Sequence, residues 1–168
     1  HQKLVEKLKA LVYGDDNGAM YLWEVTAKTL IYSANRIPEI SNDIVNVDNA
    51  MKWGFAWELG PFEGWDAIGV RRSVDRMTSE GKKVPVWVTD MLEAGRETFY
   101  RIENGERTYW DPIDNGPVVM KQHPKSLNLA IHKSAGNTLK RDISASVNDI
   151  GDGILNVEFH SILQPALN

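Results

Sequence analysis

Glycine closes one apolar repeat after another through the middle of this chain. Gly54, Gly69, Gly81 and Gly95 each follow a stretch whose apolar residues recur at steps of three and four. A glycine there supplies the left-handed backbone that ends a helix. Pro61 and Pro85 stand near the starts of two such stretches, where a missing N–H costs least. Punctuation this frequent predicts short helices. One runs from about Ile44 to Trp53, with Ile44, Val47 and Met51 on one face and Gly54 as its cap. A second starts at Pro61 and carries Phe62, Trp65 and Ile68 to Gly69. Val70, Val74 and Met77 lead to Gly81, and Pro85, Trp87, Met91 and Leu92 lead to Gly95. Each apolar stripe needs cover, so the helices pack on one another as a bundle.

Upstream, Met20, Trp23, Ala27, Leu30, Ala34 and Ile37 fall on one face of a longer helix, which Pro38 kinks or stops. Leu4, Leu8 and Leu11 mark a shorter helix ending at Gly14, and the following "GDDNG" reads as a turn. The spacing of Asp15 and Asp16 lacks the alternating oxygens and closing glutamate of a calcium loop.

After Gly95 the period changes. "TFYRIENGERTYW" alternates around Asn104-Gly105, a strong hairpin signal, with Phe99, Ile102, Tyr109 and Trp110 as apolar contacts. Residues 111–137 read as a connector partly tied down by strands. "SASVNDIGDGILNVEFH" predicts two antiparallel strands joined around Asp152-Gly153, a ribbon that needs a partner surface to be stable. The fold class is therefore α+β, divided into a helical domain over 1–97, a hairpin and connector over 98–137, and a terminal strand region over 138–168.

The 168 residues are 42% hydrophobic and 25% charged, ordinary globular composition. No apolar run is long enough to span a bilayer, and no secretory leader is visible, so the expected location is the cytoplasm. Nineteen basic and twenty-three acidic residues give a net charge of −4 with no basic stripe, which argues against nucleic acid as a partner. Without cysteine there is no thiolate metal site, and His1, His123, His132 and His160 lack metal-ligand spacing.

Asp48, Glu58, Glu63 and Asp66 read as a solvated helix face or as first-turn charges complementing a helix dipole, ahead of acid–base chemistry. Arg71 and Arg72 read as ordinary ion-pairing surface arginines rather than receivers of a ligand phosphate, and His160 as strand-end packing. Trp53, Trp57 and Trp65 read as core or interface residues, with the lining of an acyl or adenine pocket as the alternative.

The stretches "ANRIPEI", "IVNVDNAMKWGFAWELGPFEGWDAIGV" and "VPVWVTDMLEAGRETFY" resemble the C-terminal helical region of 3-hydroxyacyl-CoA dehydrogenase. The stretch "NDIGDGILNVEFHSILQPALN" resembles the opening of an enoyl-CoA hydratase domain of crotonase type. Their succession is similar to multifunctional fatty-acid β-oxidation proteins. The resemblance implies a segment of a bifunctional enzyme that contributes substrate enclosure and assembly, with no catalytic, cofactor-binding or metal residue of its own. NAD is implied for an upstream Rossmann domain, and further hydratase chemistry for a downstream crotonase domain. The implied partners are acyl-CoA, those two domains, and a second copy in a homodimer. Asn35 matches an N-R motif residue that approaches substrate in the family, with a helix cap or interhelical hydrogen bond as the alternative role. A start at histidine and an end at "HSILQPALN" read as a fragment of a longer protein. The other functional reading is a stand-alone interaction or acyl-CoA-binding helical module without enzymatic activity.

Overall fold

The computed structural model describes residues 2–103, 105–120 and 127–160. Among these the architecture is α+β: helices followed by two three-stranded sheets. The chain divides into two compact units, His1–Arg101 with Thr108–Val119, and Ile102–Arg107 with Met120–Asn168.

The first unit holds α1 (Gln2–Val12), α2 (Asn17–Asn35), α3 (Ile44–Phe55), α4 (Pro61–Ile68), α5 (Val70–Ser79) and α6 (Val86–Glu93). The "GDDNG" turn does more than connect. Asp16 caps α2 by accepting the Ala19 N–H at 2.8 Å, which fixes where the helix begins and hence its phase. Trp23, Ala27, Leu30, Ala34 and Ile37 are buried along α2 and just beyond it, as the spacing predicts. Met20 is exposed, and Ala19 faces the core in its place. In α1 the buried residue near the end is Val12, while Leu11 lies outside.

The prolines and most of the glycines sit where the sequence puts them. Pro61 opens α4, and Gly69, Gly81 and Gly95 end α4, α5 and α6 with φ of 95°, 74° and 81°. One terminator differs: α3 continues through Gly54, and Ala56 takes the left-handed position at φ 55°. For a residue with a Cβ that conformation costs about 1–2 kcal/mol. The Ala56 N–H gains the Met51 carbonyl in return.

The tryptophans divide. Trp65 is fully buried, whereas Trp53 is 81% and Trp57 42% exposed, so neither packs in the core. The buried stripe of α3 is Ile44 and Asp48. Trp53, five positions beyond Asp48, is turned about 140° away from it at 3.6 residues per turn. Around Trp65 the core is aromatic: Phe99 lies 5.2 Å from it, 5.1 Å from Phe62 and 5.7 Å from Trp87, in tilted and edge-on arrangements.

The sheet strands β1 (Tyr100–Glu103), β2 (Glu106–Asp111) and β3 (Gly116–Val119) are ordered β1-β2-β3, with Trp110 opposite Pro117. Gly105 has φ 78°, while Asn104 lies outside the described residues, as do His1 and His123.

The second unit extends the predicted ribbon. Strands β5 (Ala145–Asp149) and β6 (Leu155–Phe159) pair antiparallel across a turn in which Asp152 and Gly153 both have positive φ. A third strand, β4 (Thr138–Arg141), joins β5 with an irregular register, and a short helix, α7 (Leu129–Ser134), precedes it in the stretch read as connector. Ser146 and Asn148 are buried and tied to neighbours: Thr138 donates to Asn148 at 2.8 Å, and Ser146 to Glu158 at 3.1 Å. Lys133 forms an ion pair with the same glutamate. His160 follows β6, and its backbone N–H donates to the Ser144 carbonyl at 2.7 Å.

Candidate functional site: an apolar groove in the helical unit

The first unit contains a groove of about 430 Å³. Leu4, Leu8 and Val12 of α1 form one wall, and Val25, Thr26, Thr29 and Leu30 of α2 another. Trp57, Glu58, Leu59 and Gly60 from the α3–α4 connection and Pro61, Gly64 and Ile68 of α4 complete it. Glu58 is the one formal charge in this lining, and the Thr29 hydroxyl already donates to the Val25 carbonyl at 2.9 Å. A volume of a few hundred Å³ with mainly apolar walls is typical of a small-molecule site.

Two carboxylates hold the frame, Asp48 buried and Asp66 partly buried. Gly60 stands at the N-cap of α4 and has no side chain to cap it. Asp48 of α3 does so, accepting the N–H of Phe62 at 2.8 Å and of Glu63 at 3.1 Å. Glu63 in turn accepts the Gly60 N–H at 3.1 Å and pairs with Lys52 at 2.8 Å. The Tyr100 hydroxyl donates to Asp48 at 2.7 Å. Asp66 accepts the N–H groups of Phe99 and Tyr100 at 2.7 and 2.9 Å. Burial pushes the Asp48 carboxyl up to about 6 and that of Asp66 up to about 7, against the pull of those donors. Perturbed carboxylates often mark chemistry, but these two spend their lone pairs on backbone N–H groups that join α3, α4 and the start of β1. This corrects the solvated-face reading of Asp48 and Asp66: position 48 lies four beyond Ile44, on the inward stripe. Glu63, by contrast, does sit in the first turn of α4.

Gly64 is unusual in a different way. It lies inside α4 and lines the groove, and an added Cβ would meet nothing within 4 Å. Glycine inside a helix costs about 0.8–1.0 kcal/mol relative to alanine. No neighbour within 4 Å requires glycine at this position.

Asn35 is exposed at the end of α2, and its amide donates to the Ile31 carbonyl one turn back at 2.9 Å. It borders a separate, more polar cavity of about 380 Å³ with Lys28, Tyr32, Arg36 and Lys82, not the groove. Arg71 is engaged by Glu97 at 2.9 Å and the Leu92 carbonyl at 2.8 Å, and Arg72 stacks 3.8 Å over the Tyr13 ring. Glu80 accepts the indole N–H of Trp23 and pairs with Arg76 and Lys82. Desolvation is the largest single influence and raises its carboxyl, but the hydrogen bonds from Trp23, Lys82 and Arg76 together outweigh it and hold it at about 2. Among the described residues no group of three or more His, Cys, Asp or Glu side chains is placed to share a metal ion. No helix among them is long and apolar enough to cross a membrane.

Comparison with known proteins gives the groove a context. No family model matches the chain, and no solved structure matches it. A probable 3-hydroxyacyl-CoA dehydrogenase of Bacillus subtilis (strain 168) is 44% identical over 155 residues, covering 92% of this chain and 19% of that protein. A putative fatty acid oxidation complex trifunctional enzyme of Rickettsia felis is 29% identical over 36% of this chain and 10% of its own length. The protein of the same description from Rickettsia prowazekii (strain Madrid E) is 34% identical over 27% of this chain and 7% of its own length. The chain is thus homologous to a stretch of a 3-hydroxyacyl-CoA dehydrogenase and spans at most 19% of the length of these relatives.

Proposed function

We propose that this homology reflects parentage: the chain is a segment of a bifunctional fatty-acid β-oxidation enzyme, NAD-dependent 3-hydroxyacyl-CoA dehydrogenase and enoyl-CoA hydratase. It contributes substrate enclosure and assembly rather than bond chemistry. The observation that carries this reading is the 44% identity, which runs over 155 residues and 92% of the chain. In this account NAD binds an upstream Rossmann domain and the chain itself binds no cofactor. Acyl-CoA lies against the helical unit, a crotonase-type domain follows, and the whole forms a homodimer. Asn35 remains a substrate-adjacent residue only if the acyl-CoA extends to the α2 terminus.

The test is NADH formation from 3-hydroxybutyryl-CoA. The chain alone gives none, while a longer protein that joins it to the dinucleotide-binding domain does. Turnover by the chain alone overturns the proposal. The second reading, an acyl-CoA-binding module without activity, is favoured by the groove being walled within one compact unit. Failure of the longer protein to oxidise any 3-hydroxyacyl-CoA, with binding by the chain retained, selects it.

A further inference from the structure

We infer that the groove between α1, α2 and α4 receives the distal end of an unbranched alkyl chain and that Gly64 keeps it open. The inference rests on the β-oxidation reading for the identity of that chain as an acyl tail. The groove itself argues for alkyl rather than polar cargo. Its walls carry leucine, isoleucine, valine and proline, and no lysine or arginine lies among them to meet a phosphate or a free carboxylate. Glu58 at the lining disfavours an anion further. The capacity also fits: a water occupies about 30 Å³ of liquid volume. A methylene takes similar space, so a groove of about 430 Å³ takes in a tail of several methylenes.

Gly64 supplies the independent observation. Apart from proline, glycine is the least favoured residue inside a helix, and here no neighbour requires it. Gly64 lines the groove and a Cβ there meets nothing within 4 Å, so a side chain at this position is expected to take up groove volume without displacing the frame. Gly60, on the same groove, is the contrast: an added Cβ would stand 2.4 Å from the Cα of Asp48, so packing alone explains that glycine.

Each methylene taken from water into an apolar site strengthens binding by about fourfold. The experiment is calorimetric titration of the 168-residue chain with dodecanoyl-CoA, with acetyl-CoA, and with 1-decanol as a neutral probe lacking thioester and phosphates. Dodecanoyl-CoA is expected to bind at least a hundredfold more tightly than acetyl-CoA, and decanol to compete with it. Gly64→Leu is expected to weaken dodecanoyl-CoA at least tenfold while its melting temperature stays level or rises. Should that variant misfold, Trp57→Ala, at a partly exposed wall position, is expected to weaken the same ligand severalfold. Equal affinity for both thioesters overturns the inference. So does undiminished binding by Gly64→Leu, or sedimentation showing that this variant splits a dimer whose partner copy filled the groove. None of these outcomes touches the parentage, which NADH formation by the longer protein decides.

Discussion

A β-carbon on Gly60 would stand 2.4 Å from the Cα, Cβ and Cγ of Asp48. The two residues are locked together because α4 begins at a glycine and takes its capping carboxylate from α3. Gly60→Ala is therefore expected to destabilise the helical unit by about 1–3 kcal/mol, the usual cost of overpacking. Gly64→Ala, four residues on, faces open space and should stabilise it by about 0.5–1 kcal/mol. Urea unfolding of both variants checks this, and equal shifts of one sign would contradict it.

Trp65 donates its indole N–H to Ser73 at 2.6 Å, and that hydroxyl donates to the Val70 carbonyl at 2.7 Å, all in the buried core. Ser73→Ala strands the indole donor, a loss of about 1–3 kcal/mol. Ser79→Ala removes an exposed hydroxyl on the same helix and should move stability by no more than about 0.5 kcal/mol. Thermal unfolding of the pair separates the two cases.

The carboxylates of Asp48 and Asp66 make stability fall as pH rises. Unfolded aspartate releases its proton near 3.9, as model peptides do. Folded Asp48 and Asp66 keep theirs up to about 6 and about 7. Between those limits the folded state binds more protons, so their contribution is complete below about pH 4 and lost by about pH 7. Glu80, held at about 2, acts oppositely and in another window, losing its contribution only as pH falls towards 2. The urea midpoint should drop from pH 5 to pH 8, and Asp66→Asn should flatten that slope. A slope left unchanged in Asp66→Asn removes this residue from the explanation.

Where the sequence spoke through local chemistry, it was legible. Pro61 and Gly69 bracket α4 because their backbone preferences act without any neighbour. The α2 stripe from Trp23 to Ala34 follows from the helical repeat alone. Relations between distant residues were not readable. Asp48 looked like one more acid on a helix, since its partners Phe62 and Tyr100 lie 14 and 52 positions away. Trp53 looked apolar enough to be buried, but its phase on α3, about 140° from Asp48, turns it outward. The "TLKR" of β4 has too little alternation to declare a strand, which its pairing with β5 supplies. The groove was hidden for a related reason: a glycine at or inside a helix looks the same in sequence whether its side is crowded or empty, and Gly60 at the N-cap of α4 and Gly64 within it are one of each.

On the function proposed above, this segment lends an acyl-binding wall, not catalytic groups, to a 3-hydroxyacyl-CoA-oxidising enzyme. The most direct measurement is kcat/KM for 3-hydroxydodecanoyl-CoA divided by that for 3-hydroxybutyryl-CoA, in a longer protein that includes the dinucleotide-binding domain, with and without Gly64→Leu. The ratio is expected to fall at least tenfold in the variant, through KM for the longer substrate. A ratio that stays the same contradicts the claim.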